Sequence, residues 1–194
     1  MIIGITGGVG CGKSTVLGIL ERDFGCHIIE ADKVGHLVMQ KGASAYKDIL
    51  RIFGNEILDE NQEIDRRKLG KIVFQDKGRL EKLNAIVHPA VKCHIKNEIN
   101  QVLQSDHDAI IIIEAALLIE DHYPELCDEV WYIYADEKER FRRLADSRGY
   151  TEEKTRSIMK NQLTEEEFLK HCDKKIDNSY DFENTYHQIE KLFD

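Results

Sequence analysis

A three-layer α/β sandwich on a five-stranded parallel sheet is predicted by three observations. Short apolar runs recur along the chain, and stretches of helical periodicity separate them. The first run leads directly into a glycine-rich loop carrying a single lysine, GITGGVGCGKST at residues 4–15. One run, Ala109–Ile113, is apolar at every position, as expected of a parallel strand covered on both faces.

Taken in order, Ile2–Thr6 is the first strand, and Ser14–Phe24 is a helix with apolar residues at Val16, Leu17, Ile19, Leu20 and Phe24. Gly25 is its stop signal. Cys26–Ile29 is a second strand, ending at Glu30-Ala31-Asp32. The stretch 33–108 is far longer than one crossover needs and reads as helical almost throughout, with helices over 45–53, 66–74, 79–87 and 89–104. Pro89 suits the first position of the last of these. Ala109–Ile113 is the third strand, Glu129–Ala135 the fourth and Lys174–Ile176 the fifth, with a charged helical stretch over 137–171. The expected organisation is a single domain over 1–194. Segments 1–32, 109–136 and 174–194 form its nucleotide-binding core, 33–108 is a helical insertion and 137–173 a helical lid.

Composition narrows the function classes. Of the 194 residues 42% are hydrophobic and 32% charged, which suits a soluble folded domain. The net charge of −9 repels polyphosphate on average and argues against a general nucleic-acid binder. No apolar run is long enough to cross a bilayer, and the N-terminus lacks a signal-peptide pattern, so no membrane role is expected. The five cysteines are odd in number and form no CxxC pair, so a reducing cytoplasm is expected. The eight histidines show no metal-ligand spacing.

Gly7, four residues, then Gly12-Lys13-Ser14 match G-x-x-x-x-G-K-[ST], with a strand before and a helix after. The fold is therefore expected to be of P-loop NTPase type. Glycines permit backbone torsions at which successive N–H groups converge on phosphate oxygens, and the helix N-terminus adds partial positive charge. Gly8, Val9, Gly10, Cys11, Gly12, Lys13, Ser14 and Thr15 are the expected contacts to the phosphates of ATP. Lys13 would reach the β- and γ-phosphates and Ser14 would hold Mg²⁺. A GTPase-type switch would carry a guanine-reading NKxD segment, and the sequence has none. A short P-loop chain with a helical insertion and a late arginine-rich helix suits a small-molecule kinase.

From Glu30-Ala31-Asp32 onward the sequence resembles the dephospho-CoA kinase family. Besides that triplet and the loop, the matching segments are IDRRKL (64–69), LNAIVHP (83–89), EAALLIE (114–120), FRRLADSRGYT (141–151), KNQ (160–162) and IDNS (176–179). The resemblance spans essentially the whole chain. It implies transfer of the ATP γ-phosphate to the ribose 3′-hydroxyl of dephospho-CoA, the last step of coenzyme A synthesis. It implies Asp32 as general base, Glu114 orienting Mg²⁺ through water, and Arg66, His88 and Leu117 on the acceptor side, Leu117 by packing. Arg143 and Arg140 would stabilise the transferring phosphoryl group, and Asn178 would lie near the adenine. Arg142 and Arg148 share that helix, where some arginines serve as partners for Glu137, Glu139 or Asp146. Glu30, Glu114, Ala116 and Ser179 stand where the family more often has Asp, Asp, Pro and Asn. The expected partners are ATP and dephospho-CoA, in a monomer or small homo-oligomer. The alternatives are another nucleoside or nucleotide kinase, or a CoA-binding regulator.

Overall fold

Along the chain run β1 (Ile2–Thr6), α1 (Lys13–Phe24), β2 (His27–Glu30), α2 (Ala31–Val38), α3 (Tyr46–Phe53), α4 (Arg66–Gln75) and α5 (Lys77–Ser105). Then come β3 (Ile111–Glu114), β4 (Glu129–Tyr134), α6 (Glu137–Arg148), α7 (Glu152–Met159), α8 (Glu165–His171), β5 (Lys174–Asp177) and α9 (Phe182–Phe193). These belong to a computed structural model that describes residues 1–193. The strands form one parallel sheet in the order β2-β3-β1-β4-β5, so β1 lies at its centre with the loop at its C-terminal end.

Strand periodicity sends alternate side chains to opposite faces. Ile3 and Ile5 of β1, Ile112 of β3, Trp131 and Ile133 of β4 and Ile176 of β5 fall on one face. There they pack with Val16, Ile19 and Leu20 of α1 and Ile189 of α9. On the other face, Gly4 leaves little room for a side chain: a Cβ there would lie 3.0 Å from Cys127 Sγ and 3.2 Å from Leu118, so these side chains would have to shift. On that same face the Tyr132 ring stacks on Phe168 of α8 at 4.6 Å between centroids. Helices on both faces make three layers. All four residues of β3 are buried, as expected of an inner strand covered on both faces: three isoleucines and then Glu114 at its C-terminal end.

The chain divides into two compact units, residues 1–29 joined with 108 onward, and residues 30–107. The second unit is helical, with α5 packed against α2, α3 and α4. The structure differs from expectation here. Instead of two helices meeting at Pro89, α5 is one helix of 29 residues with Pro89 inside it. Proline removes one N–H donor from the ladder. The helix continues because Val91, Ile95 and Ile99 beyond it are all buried in the unit's core. The charged stretch 137–171 is broken into α6, α7 and α8 by local chemistry. Gly149 adopts a left-handed conformation (φ 62°) after α6, the Thr151 side chain caps α7, and Thr164 with Glu167 forms a capping box on α8. Among the described residues no helix is long and apolar enough to cross a membrane.

Candidate functional site

The loop from Gly7 to Gly12 carries the chain from the end of β1 into α1. Gly10 (φ 78°) and Gly12 (φ 85°) occupy the left-handed region, where a side chain would be strained. Space excludes side chains too: a Cβ on Gly7 would strike the carbonyl of Ile133, one on Gly8 the Arg140 guanidinium, and one on Gly12 the Asn178 amide. Gly12 caps α1 without a side chain, and no acidic residue lies in the first turn. The positive end of a 12-residue helix is therefore not neutralised by its own sequence. Ser14 and Thr15 are exposed in that turn. Lys13 Nζ donates to the Gly7 carbonyl at 3.0 Å and lies 3.6 Å from Glu114 Oε1, at the end of β3.

The loop's carbonyls are held from outside. Arg140 Nε donates to the Val9 carbonyl at 2.8 Å. Arg143 Nη1 and Asn178 Nδ2 donate to the Cys11 carbonyl at 3.2 and 2.8 Å. In a trans peptide the C=O and the following N–H point in opposite directions, and there is no cis bond among the described residues. Fixing the carbonyls of Val9 and Cys11 toward α6 therefore turns the N–H groups of Gly10 and Gly12 the other way. This arrangement can cradle an anion.

Each clamp residue is itself held. Arg143 Nε donates to Glu139 Oε1 at 2.8 Å and its Nη2 to the Asn178 carbonyl at 2.8 Å. Hydrogen bonding from Arg142, then from Arg143, holds the Glu139 carboxyl down at about 2, so it stays ionised at any ordinary pH. Asn178 is 3% exposed, with its Oδ1 accepting from the Thr185 hydroxyl at 2.9 Å.

The structure thus gathers Gly8 to Thr15, Glu114, Arg140, Arg143 and Asn178 around one loop. The two arginines grip its backbone, and the buried amide of Asn178 is spent on the same loop. Of the other sequence-derived candidates, Asp32, Arg66 and His88 belong to the second unit and Leu117 to the first. Asp32 is exposed in the first turn of α2, which begins at Ala31, so the triplet opens a helix as well as ending a strand. Arg66 is exposed at the first position of α4, behind an Asp65 side chain that caps the helix. His88 is half-buried in the middle of α5. Leu117 is exposed after β3. The second unit has a cavity of about 550 Å³ flanked by Asp48, Arg51, Ile86, Pro89 and His94, and neither Arg66 nor His88 lines it. Sequence reading assigned no role to Gln162, whose Oε1 accepts from Val9 N–H at 3.0 Å.

Cys11, in the loop floor, is 2% exposed, and burial pushes its thiol pKa up. Burial likewise pushes Cys172 up to about 12, whereas Cys93 is exposed. Iodoacetamide at mild alkaline pH is expected to modify Cys93 and leave Cys11 untouched in the folded protein, because the thiolate is the nucleophile. Peptide mass spectrometry reads the sites. Labelling of Cys11 at the rate of Cys93 would contradict its burial under the loop.

A family model described as dephospho-CoA kinase matches residues 1–184. The dephospho-CoA kinase of Carboxydothermus hydrogenoformans is 39% identical over 188 residues, covering 97% of this chain and 90% of that protein. The solved structure of TT1252 from Thermus thermophilus superposes with a TM-score of 0.82 at 27% identity, covering 100% of this chain and 96% of that one. That of dephospho-CoA kinase from Campylobacter jejuni gives 0.74 at 27% identity, covering 99% and 94%. With a family match over nearly its full length, this chain belongs to the dephospho-CoA kinase family.

Proposed function

We propose that this chain transfers the γ-phosphate of ATP to the ribose 3′-hydroxyl of dephospho-CoA, giving CoA and ADP. The observation that carries the reading is the loop: its carbonyls are tied outward by Arg140, Arg143 and Asn178, beside an uncompensated helix N-terminus and Lys13. That donor set suits a polyphosphate. The 3′-oxygen attacks the γ-phosphorus, the bond from that phosphorus to the β–γ bridging oxygen breaks, and ADP leaves with the electron pair. Asp32 accepts the hydroxyl proton. Lys13 neutralises charge on the β- and γ-phosphates. Arg140 and Arg143 keep the loop N–H groups pointed at the phosphates, so that little reorganisation is needed as charge shifts. Arg66, His88 and Leu117 serve the acceptor, and Asn178 acts on the nucleotide through the loop that it supports.

The residues present also fit Mg²⁺. Ser14 offers an exposed hydroxyl beside the loop and Glu114 a carboxylate at the adjacent strand end, both hard oxygen donors. Among the described residues no cluster of three or more His, Cys, Asp or Glu forms a cage. Such a set suits an ion that takes most of its ligands from phosphate and water. When bound, that ion supplies charge neutralisation on the phosphates.

The test is ATP consumption and product mass with dephospho-CoA, against a panel of nucleosides, nucleotides and no acceptor. CoA formation with dephospho-CoA strongly preferred is expected. Preference for a nucleoside, or hydrolysis independent of acceptor, would overturn the reading.

A further inference from the structure

We propose that Gln162 is a positioning residue for phosphoryl transfer, one that sets the tip of the phosphate loop and the Arg140 guanidinium in a single arrangement. The proposal rests on the kinase reading above and adds a residue to it.

Three hydrogen bonds close a ring. Val9 N–H donates to Gln162 Oε1 at 3.0 Å, Arg140 Nη2 donates to the same oxygen at 3.2 Å, and Arg140 Nε donates to the Val9 carbonyl at 2.8 Å. Both neighbours of the amide are donors only, so the side chain must present its oxygen there. Val9 lies between Gly8 and Gly10, the latter at φ 78°. Glycine neighbours impose little of their own on the backbone, so the orientation of the Val9 peptide has to be set from outside. Arg140 sets its carbonyl side and Gln162 its N–H side.

Gln162 is suited to that task by its own mounting. Its N–H donates to the Met159 carbonyl at 3.1 Å, and Asn161 N–H donates to that of Ile158 at 3.1 Å, so the residue sits in a closed turn after α7. Two residues later Thr164 begins the capping box of α8. The chain is therefore anchored on both sides of Gln162, and the side chain spans from that turn to a loop 153 residues earlier. A neutral amide fits this place better than a carboxylate of equal length. Glutamate would accept the same hydrogen bonds but set a negative charge against the phosphates.

The experiment is a double-mutant cycle on the full chain with Gln162→Leu, Arg140→Ala and both together, measuring steady-state kinetics for each substrate and the melting temperature. Gln162→Leu is expected to lower kcat/KM for ATP by about 10- to 100-fold, the scale of two lost hydrogen bonds, one of them charge-assisted. KM for dephospho-CoA should stay within about twofold and Tm within a few degrees. In the Arg140→Ala background the same substitution should cost less than about threefold, because the two residues act as a unit. Full activity of Gln162→Leu, strict additivity, or equal damage to both substrates with a lowered Tm would each overturn the proposal. Wild type runs in parallel: an inactive wild type sinks the kinase reading, whereas an active wild type matched by Gln162→Leu sinks only the role of Gln162.

Discussion

Replacing Lys13 with alanine is expected to lower kcat/KM for ATP by about a thousandfold or more. The ammonium is already directed to the loop, 3.0 Å from the Gly7 carbonyl. It stands at the first residue of α1, where the loop meets the helix N-terminus. Its removal takes away the full positive charge carried by the loop itself and leaves the N–H groups, the helix end and the guanidiniums of Arg140 and Arg143 that hold the loop carbonyls. Both affinity and rate should suffer, because Lys13 would contact the β- and γ-phosphates in the ground state and meet more charge in the transition state. Lys13→Ala also removes the cation that faces Glu114 at 3.6 Å. Calorimetric ATP titration and a melting curve therefore belong beside the kinetics. A variant that binds ATP like wild type and turns over at full rate would end the assignment of this loop as a phosphate cradle.

Asp32→Asn comes second and differs in kind. Turnover should fall by about 10²- to 10⁴-fold, the range for loss of general acid–base catalysis, while ATP affinity changes little. The near-isosteric amide keeps the size and hydrogen-bonding reach of the side chain and removes only its ability to accept a proton. Asp32 is exposed in the first turn of α2, so the substitution should leave the fold intact. The diagnostic pattern is low kcat with near-normal ATP binding. Wild-type turnover would remove Asp32 as the base, and equal loss of binding and rate would make it a positioning group instead.

The contrast between these two residues shows how far local sequence reached. The setting of Lys13 was legible because everything that defines it lies within a dozen neighbours: an apolar strand, glycines at fixed spacing and a helix with its apolar face toward the sheet. The left-handed torsions of Gly10 and Gly12 are what that spacing demanded. Gly25 ended α1 in a left-handed conformation for the same local reason. Pro89 was read wrongly because its local preference, to begin a helix, was outweighed by the burial of Val91, Ile95 and Ile99 against neighbouring helices. No window of residues around the proline contains that information.

Arg140 and Arg143 were conspicuous as basic residues on one face of a helix, but the sequence could not say what they grip. Their targets are the carbonyls of Val9 and Cys11, more than 130 positions away. Gln162 stood in the KNQ segment that matches the family, but a neutral amide in a polar turn gave no sign of what it would bind. By itself, then, the sequence determined the α/β class, the phosphate loop and its family, because strand and helix periods, glycine torsions and motif spacing are properties of neighbouring residues. Only the tertiary structure decided which side chains hold the loop in shape. A carbonyl accepts from whichever donor the packed sheet and helices bring within about 3 Å, and that proximity is created by folding alone.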